Sequence, residues 1–111
     1  MKTAMKVALT LFLALSLISC ATMRPDLTPE QKQLAAVKWF NDNLEEYLTA
    51  YDMASPETRA KWDERITPLF IQGNTVLELW RVGQMAESDW FKLRNTLIAA
   101  LITNGLIVVE E

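Results

Sequence analysis

The chain has 111 residues, a formal charge of −3, one cysteine and no histidine. One cysteine excludes an internal disulfide, and the lack of histidine removes the commonest general base and metal ligand together. Half of the residues are hydrophobic, which argues against disorder, and an acidic chain without a basic stripe is a poor partner for nucleic acid or an anionic bilayer surface.

The chain opens MKTAMKVALTLFLALSLISC. Lys2 and Lys6 precede an apolar stretch from Val7 to Ile18, broken by Thr10 and Ser16. Its 12 residues fall short of the about 20 that a spanning helix needs. They fit the apolar region of a signal peptide. Leu17, Ile18, Ser19 and Cys20 close it in the order aliphatic, aliphatic, small, cysteine. This order resembles the lipobox of bacterial lipoproteins, a resemblance confined to residues 1–20. It implies a diacylglyceryl group on the Cys20 sulfur, cleavage between Ser19 and Cys20, and acylation of the new amino group. Each buried methylene contributes about 0.8 kcal/mol, and two or more chains anchor stably. Ala21 stands where an aspartate would favour retention at the inner membrane, so the resemblance implies the outer membrane, facing the periplasm. An ordinary secretory leader ending by chance in cysteine is the alternative.

Removing nineteen residues leaves 92, enough for one domain. Nine Lys+Arg then face fourteen Asp+Glu, a net −5. The expected organisation is signal peptide 1–19, lipidated N-terminus and tether 20–27, and helical domain 28–111. Arg24-Pro25 disfavours helix in the tether. A first helix opens at Thr28-Pro29-Glu30-Gln31, with Thr28 as N-cap, Pro29 at the first helical position and Gln31 completing a capping box. Leu34, Val37, Phe40, Leu44, Tyr47, Leu48 and Tyr51 recur in steps of three and four and predict its buried face, ending near Met53. Ser55-Pro56-Glu57 starts a second helix, with Trp62, Ile66, Leu69, Phe70, Leu77 and Trp80 on one face. Pro68 must kink or break it: either Thr67 caps a new helix, or one kinked helix runs to about Val82. Gly73 and Asn74 weaken its middle, and Gly83 is a C′ residue. A third helix starts at Ser88-Asp89, presents Trp90, Leu93, Leu97, Ala100 and Leu101, and stops at Asn104-Gly105, where a Schellman end would pack Leu106 on Leu101. The tail from Leu106 to Val109 is apolar, and an extended strap is one conformation open to it. The fold expected is all-α, a small antiparallel three-helix bundle with its second helix kinked or broken at Pro68.

The candidate sites are few. Glu45-Glu46 and Asp63-Glu64 are the acid pairs that hydrolytic chemistry would need, but helix neighbours point about 100° apart, and a solvated surface is the simpler reading. Trp39, Phe40, Tyr47, Tyr51, Trp62, Phe70, Trp80, Trp90 and Phe91 are expected mainly as core, with a ligand groove as the rival reading. Trp39-Phe40 and Trp90-Phe91 are adjacent pairs, which predicts some aromatic surface at an edge. The run Leu97 to Ile102 is apolar all round its helix, so it is either central to the bundle or meets another chain or the bilayer. The candidate partner surface is therefore Ile98, Ala99, Ile102, Trp39 and Trp90. No metal site, cofactor motif or phosphate loop is expected. The expected role is a non-enzymatic, lipid-anchored scaffold or docking domain in the cell envelope. Its partners would be the membrane through Cys20 and a second protein or another copy of the chain, and not nucleic acid. The alternative is a phage- or prophage-type envelope lipoprotein modulating lysis or superinfection.

Overall fold

The computed structural model describes residues 27–110. The leader, the lipobox residues Leu17, Ile18, Ser19 and Cys20, and most of the tether lie outside the described residues. By its contacts the chain divides into residues 1–35, with 111, and residues 36–110. The described part of the first unit is the start of α1 (Pro29–Met53). There Thr28 Oγ1 accepts from the Gln31 N–H at 3.1 Å while Gln31 Oε1 accepts from the Thr28 N–H at 2.9 Å. This is the reciprocal cap that the spacing predicts.

The second unit contains the rest of α1, α2 (Pro56–Arg65), α3 (Thr67–Arg81) and α4 (Glu87–Thr103). It is a small helical bundle with no strand among the described residues. α2 and α3 form one rod bent by 39°. Pro68 lacks the N–H that would continue the helical ladder, and its ring crowds the carbonyl one turn back. The break falls at Ile66, whose φ of −119° departs from the helix. Ile66, and not Thr67, is the cap residue of α3. Its side chain is fully buried, so the bend is tied to the core.

Caps and turns fix the other ends. Ser55 Oγ accepts from the Thr58 N–H to start α2. Arg59 donates from Nε to the Tyr51 carbonyl at 2.8 Å and from Nη2 to that of Asp52 at 2.7 Å, so a side chain satisfies the orphan carbonyls at the end of α1. α4 begins earlier than Ser88, with Asp89 Oδ2 accepting from the Ala86 N–H at 2.9 Å. α3 and α4 both end in Schellman turns. Gly83 and Gly105 take φ of 81° and 79°, and the Gln84 and Leu106 N–H groups bond back to Leu79 and Leu101.

The core is an aromatic stack. Trp39 meets Trp90 edge-on, Phe40 reaches both Phe70 and Trp90, and Tyr47 stacks on Phe70 at 5.0 Å between ring centroids. Each such pair is worth about 0.5–1.5 kcal/mol beyond its buried area. The Phe40 ring lies against the backbone of Gly73, where a Cβ would come within 2.6 Å of Phe40 Cε1. Gly73 is thus a socket for the ring, which accounts for a poor helix former in mid-helix.

The buried face of α1 differs from the predicted one. Ala36, Trp39, Phe40, Asn43 and Tyr47 are inside, whereas Leu34, Val37 and Leu48 are 70%, 39% and 51% exposed. The face is turned by about one residue, near 100°. Asn43 is at its centre, 1% exposed. Its Nδ2 donates to the carbonyls of Trp39 and Val109, and its Oδ1 accepts from the Val109 N–H at 2.8 Å. The tail from Leu106 has no regular secondary structure and straps the bundle, with Leu106 and Val108 packed on the core and Ile107 exposed.

Candidate docking groove

Between α1 and the α2–α3 rod is an open groove of about 550 Å³, lined on α1 by residues from Phe40 to Tyr51. Phe40, Tyr47 and Phe70 make its floor, since they are core residues that also line it. Leu44 and Leu48 on α1 and Ile71 on α3 line its sides. Leu48 and Ile71 are 51% and 65% exposed, so each wall carries an apolar side chain in solvent, beside the exposed Asn41, Asn74 and Thr75.

The end of the groove at Tyr51 holds Asp63, its one charged residue among the described residues. Tyr51 donates its hydroxyl to the Asp63 carboxylate, at 2.9 and 3.0 Å from the two oxygens. Thr67 Oγ1 also donates to Asp63, and the Tyr47 hydroxyl is 2.8 Å from that Thr67 oxygen. Either hydroxyl can donate in this last bond, and Tyr51 and Thr67 are the two that bond Asp63 directly. Bonding to Asp63 raises the Tyr51 pKa, because losing the proton would set two anions face to face. Burial, and then the Asp63 charge, raise that of Tyr47 against the hydrogen bond to Thr67. Arg59 lies over the Tyr51 ring at 5.5 Å and is held by the carbonyls of Tyr51 and Asp52. Among the described residues no cation is within ion-pair distance of Asp63.

The surface proposed from sequence is redistributed. Trp39 and Trp90 are 3% and 1% exposed, so neither is edge surface. Trp39 and Phe40 are both buried because the inward arc of α1 is wide enough for both to reach Trp90 of α4 while Phe40 also meets Phe70 of α3. Arg94 covers the Trp39 ring at 4.9 Å. Ala99 and Ile102 are at the surface and Ile98 is half-buried. Only Leu97 and Leu101 of the 97–102 run are fully inside. α4 is therefore not a central helix, since α1 and the α2–α3 rod leave one of its sides open. Glu45, Glu46, Asp63 and Glu64 are all exposed. Asp63 alone among them lines the groove.

Of the residues that line the groove, Phe40, Tyr47, Tyr51 and Phe70 belong to the set for which the sequence leaves a ligand groove open, whereas the α1 periodicity assigns Leu44 and Leu48 to the core. With Trp39 added, α1 carries more large apolar residues than one buried face can hold, so a second apolar surface was implied. Among the described residues no group of three or more Cys, Asp or Glu is placed to hold a metal ion. Comparison with protein-family models, curated proteins and solved structures finds no match.

Proposed function

We propose that this chain is a lipid-anchored lipoprotein of the bacterial envelope, held through Cys20 at the outer membrane and facing the periplasm. Its helical domain works by protein contact and not by catalysis. The anchoring half rests on Leu17-Ile18-Ser19-Cys20 closing a short apolar run behind Lys2 and Lys6. Among the described residues no helix is long and apolar enough to cross a membrane, and this reading assigns attachment to the acylated cysteine.

The contact half rests on one observation, the open groove between α1 and the α2–α3 rod with Leu48 and Ile71 exposed on its rims. A concave apolar trough with a few convergent polar groups is the ordinary form of a binding site, and this groove has an aromatic floor and the Tyr51–Asp63–Thr67 cluster. Two experiments test the halves separately. Cys20→Ser should leave the membrane fraction and keep its leader, and mass spectrometry of the natural protein should show an acylated fragment beginning at Cys20. An unchanged distribution or a bare terminus overturns the anchoring. A photo-cross-linking residue at Leu48 in living cells should give a discrete adduct that the same residue at exposed Lys92 does not, and its absence removes the docking role.

A further inference from the structure

Resting on that docking reading, we propose that the occupant of the groove is a single amphipathic helix of another protein, about three turns long, carrying a lysine or arginine that meets Asp63. Length comes from the lining. On α1 it runs from Phe40 to Tyr51, which at 1.5 Å per residue is about 16 Å. A helix that long presents apolar anchors at i, i+3 or i+4, and i+7, the pattern an apolar trough between two helices accepts.

The conformation follows from where backbone groups can be satisfied. Both walls are helices whose main-chain groups are bonded internally, so they offer an extended segment no ladder. The chain's own strap is held by the buried amide of Asn43. In the open groove the lining amides, Asn41 and Asn74, are exposed and solvated, so neither offers the buried clip that Asn43 gives the strap. A helix carries its own hydrogen bonds and needs only apolar cover.

Charge selects the sign of the occupant. Asp63 is at the Tyr51 end of the groove, oriented by Tyr51 and Thr67 and without a cation among the described residues. A cation there completes the site, and a domain of net −5 after the leader favours a basic partner at longer range. A second copy does not supply that cation by pairing this face with itself, since no Lys or Arg among the described residues lines the groove.

The test uses the full chain in neutral phosphatidylcholine nanodiscs, with a photo-cross-linking residue at Leu48. Two synthetic 14-residue Leu/Ala helices serve as probes, identical except for lysine or glutamate at one end of the apolar stripe. The lysine peptide should label Leu48 about fivefold more than the glutamate peptide, the scale of one solvent-facing ion pair against one repulsion. It should not label Lys92. Asp63→Asn should erase the preference and Asp63→Glu should keep it, which separates charge from any disturbance of the Tyr51 and Thr67 bonds. Equal labelling by both peptides overturns the cation while leaving the docking role intact. No labelling, or an adduct of two copies of the chain, overturns the proposal outright.

Discussion

Truncating Asn43 would leave the N–H and C=O of Val109 facing the bundle with no partner. A buried polar group left unsatisfied costs about 1–3 kcal/mol, and this amide pairs two of them. Asn43→Ala is expected to lower the melting temperature by several degrees, about 4–8 °C per kcal/mol for a domain this small. Amide exchange at residues 107–109 should rise more than elsewhere, and exchange rising uniformly would count against a local clip. Gly73 gives the opposite lesson in sign. In an exposed helix, alanine for glycine gains about 1 kcal/mol. Here the new methyl meets Phe40 Cε1 at 2.6 Å in a packed core, and overpacking costs about 1–3 kcal/mol. Gly73→Ala should therefore destabilise in thermal melts, and in a Phe40→Leu background the same change should turn neutral or favourable. Neither role was legible in the sequence. The partner of Asn43 is 66 residues away, and the ring that Gly73 receives is on another helix. A polar residue and a glycine inside helices read locally as defects.

Helix ends were legible because each is written in a few adjacent residues. Thr28-Pro29-x-Gln31, Ser55-Pro56 and the two glycines act within one turn, and all of them work as their local chemistry requires. The exception is α4, where Asp89 caps from its third helical position and not from the first. The rotational phase of α1 was less legible. Hydropathy treats Leu34, Val37 and Leu48 as core and Asn43 as surface, but tertiary partners decide which face is covered. Gly105 joins the element scale to the strap, because its φ of 79° turns the chain from α4 into residues 106–109. An alanine there meets no crowding, since nothing lies within 4 Å of its Cβ, and pays only for left-handed backbone, about 1–2 kcal/mol. Gly105→Ala should lower stability by about that amount in denaturant melts. A loss as large as a core truncation would mean that the strap holds more than its contacts indicate.

At the scale of the whole domain, the two sides of α1 are treated differently, one closed by the strap and the other left open beside Asp63. The open side carries the pH response. Tyr47 and Tyr51 both have raised pKa values in the fold, so the folded state holds their protons more tightly than the unfolded chain, whose tyrosines titrate near 10. Their contribution is intact below that pH and is lost as pH rises through the folded values. Melting temperature should fall in strong alkali, less steeply in a Tyr47→Phe/Tyr51→Phe variant. The open side also separates stability from contact. Leu48 and Ile71 are more than half exposed, and substitutions at such positions change stability by about 0.5 kcal/mol or less. Leu48→Glu with Ile71→Glu should leave the melting curve nearly in place. It should abolish partner cross-linking from a probe moved to Thr75, which also lines the groove. Trp90→Ala, at 1% exposure, should instead cost about 3–5 kcal/mol. If the rim substitutions unfold the domain as the core substitution does, Leu48 and Ile71 are structural, and the face between α1 and α3 loses its claim to be a binding surface.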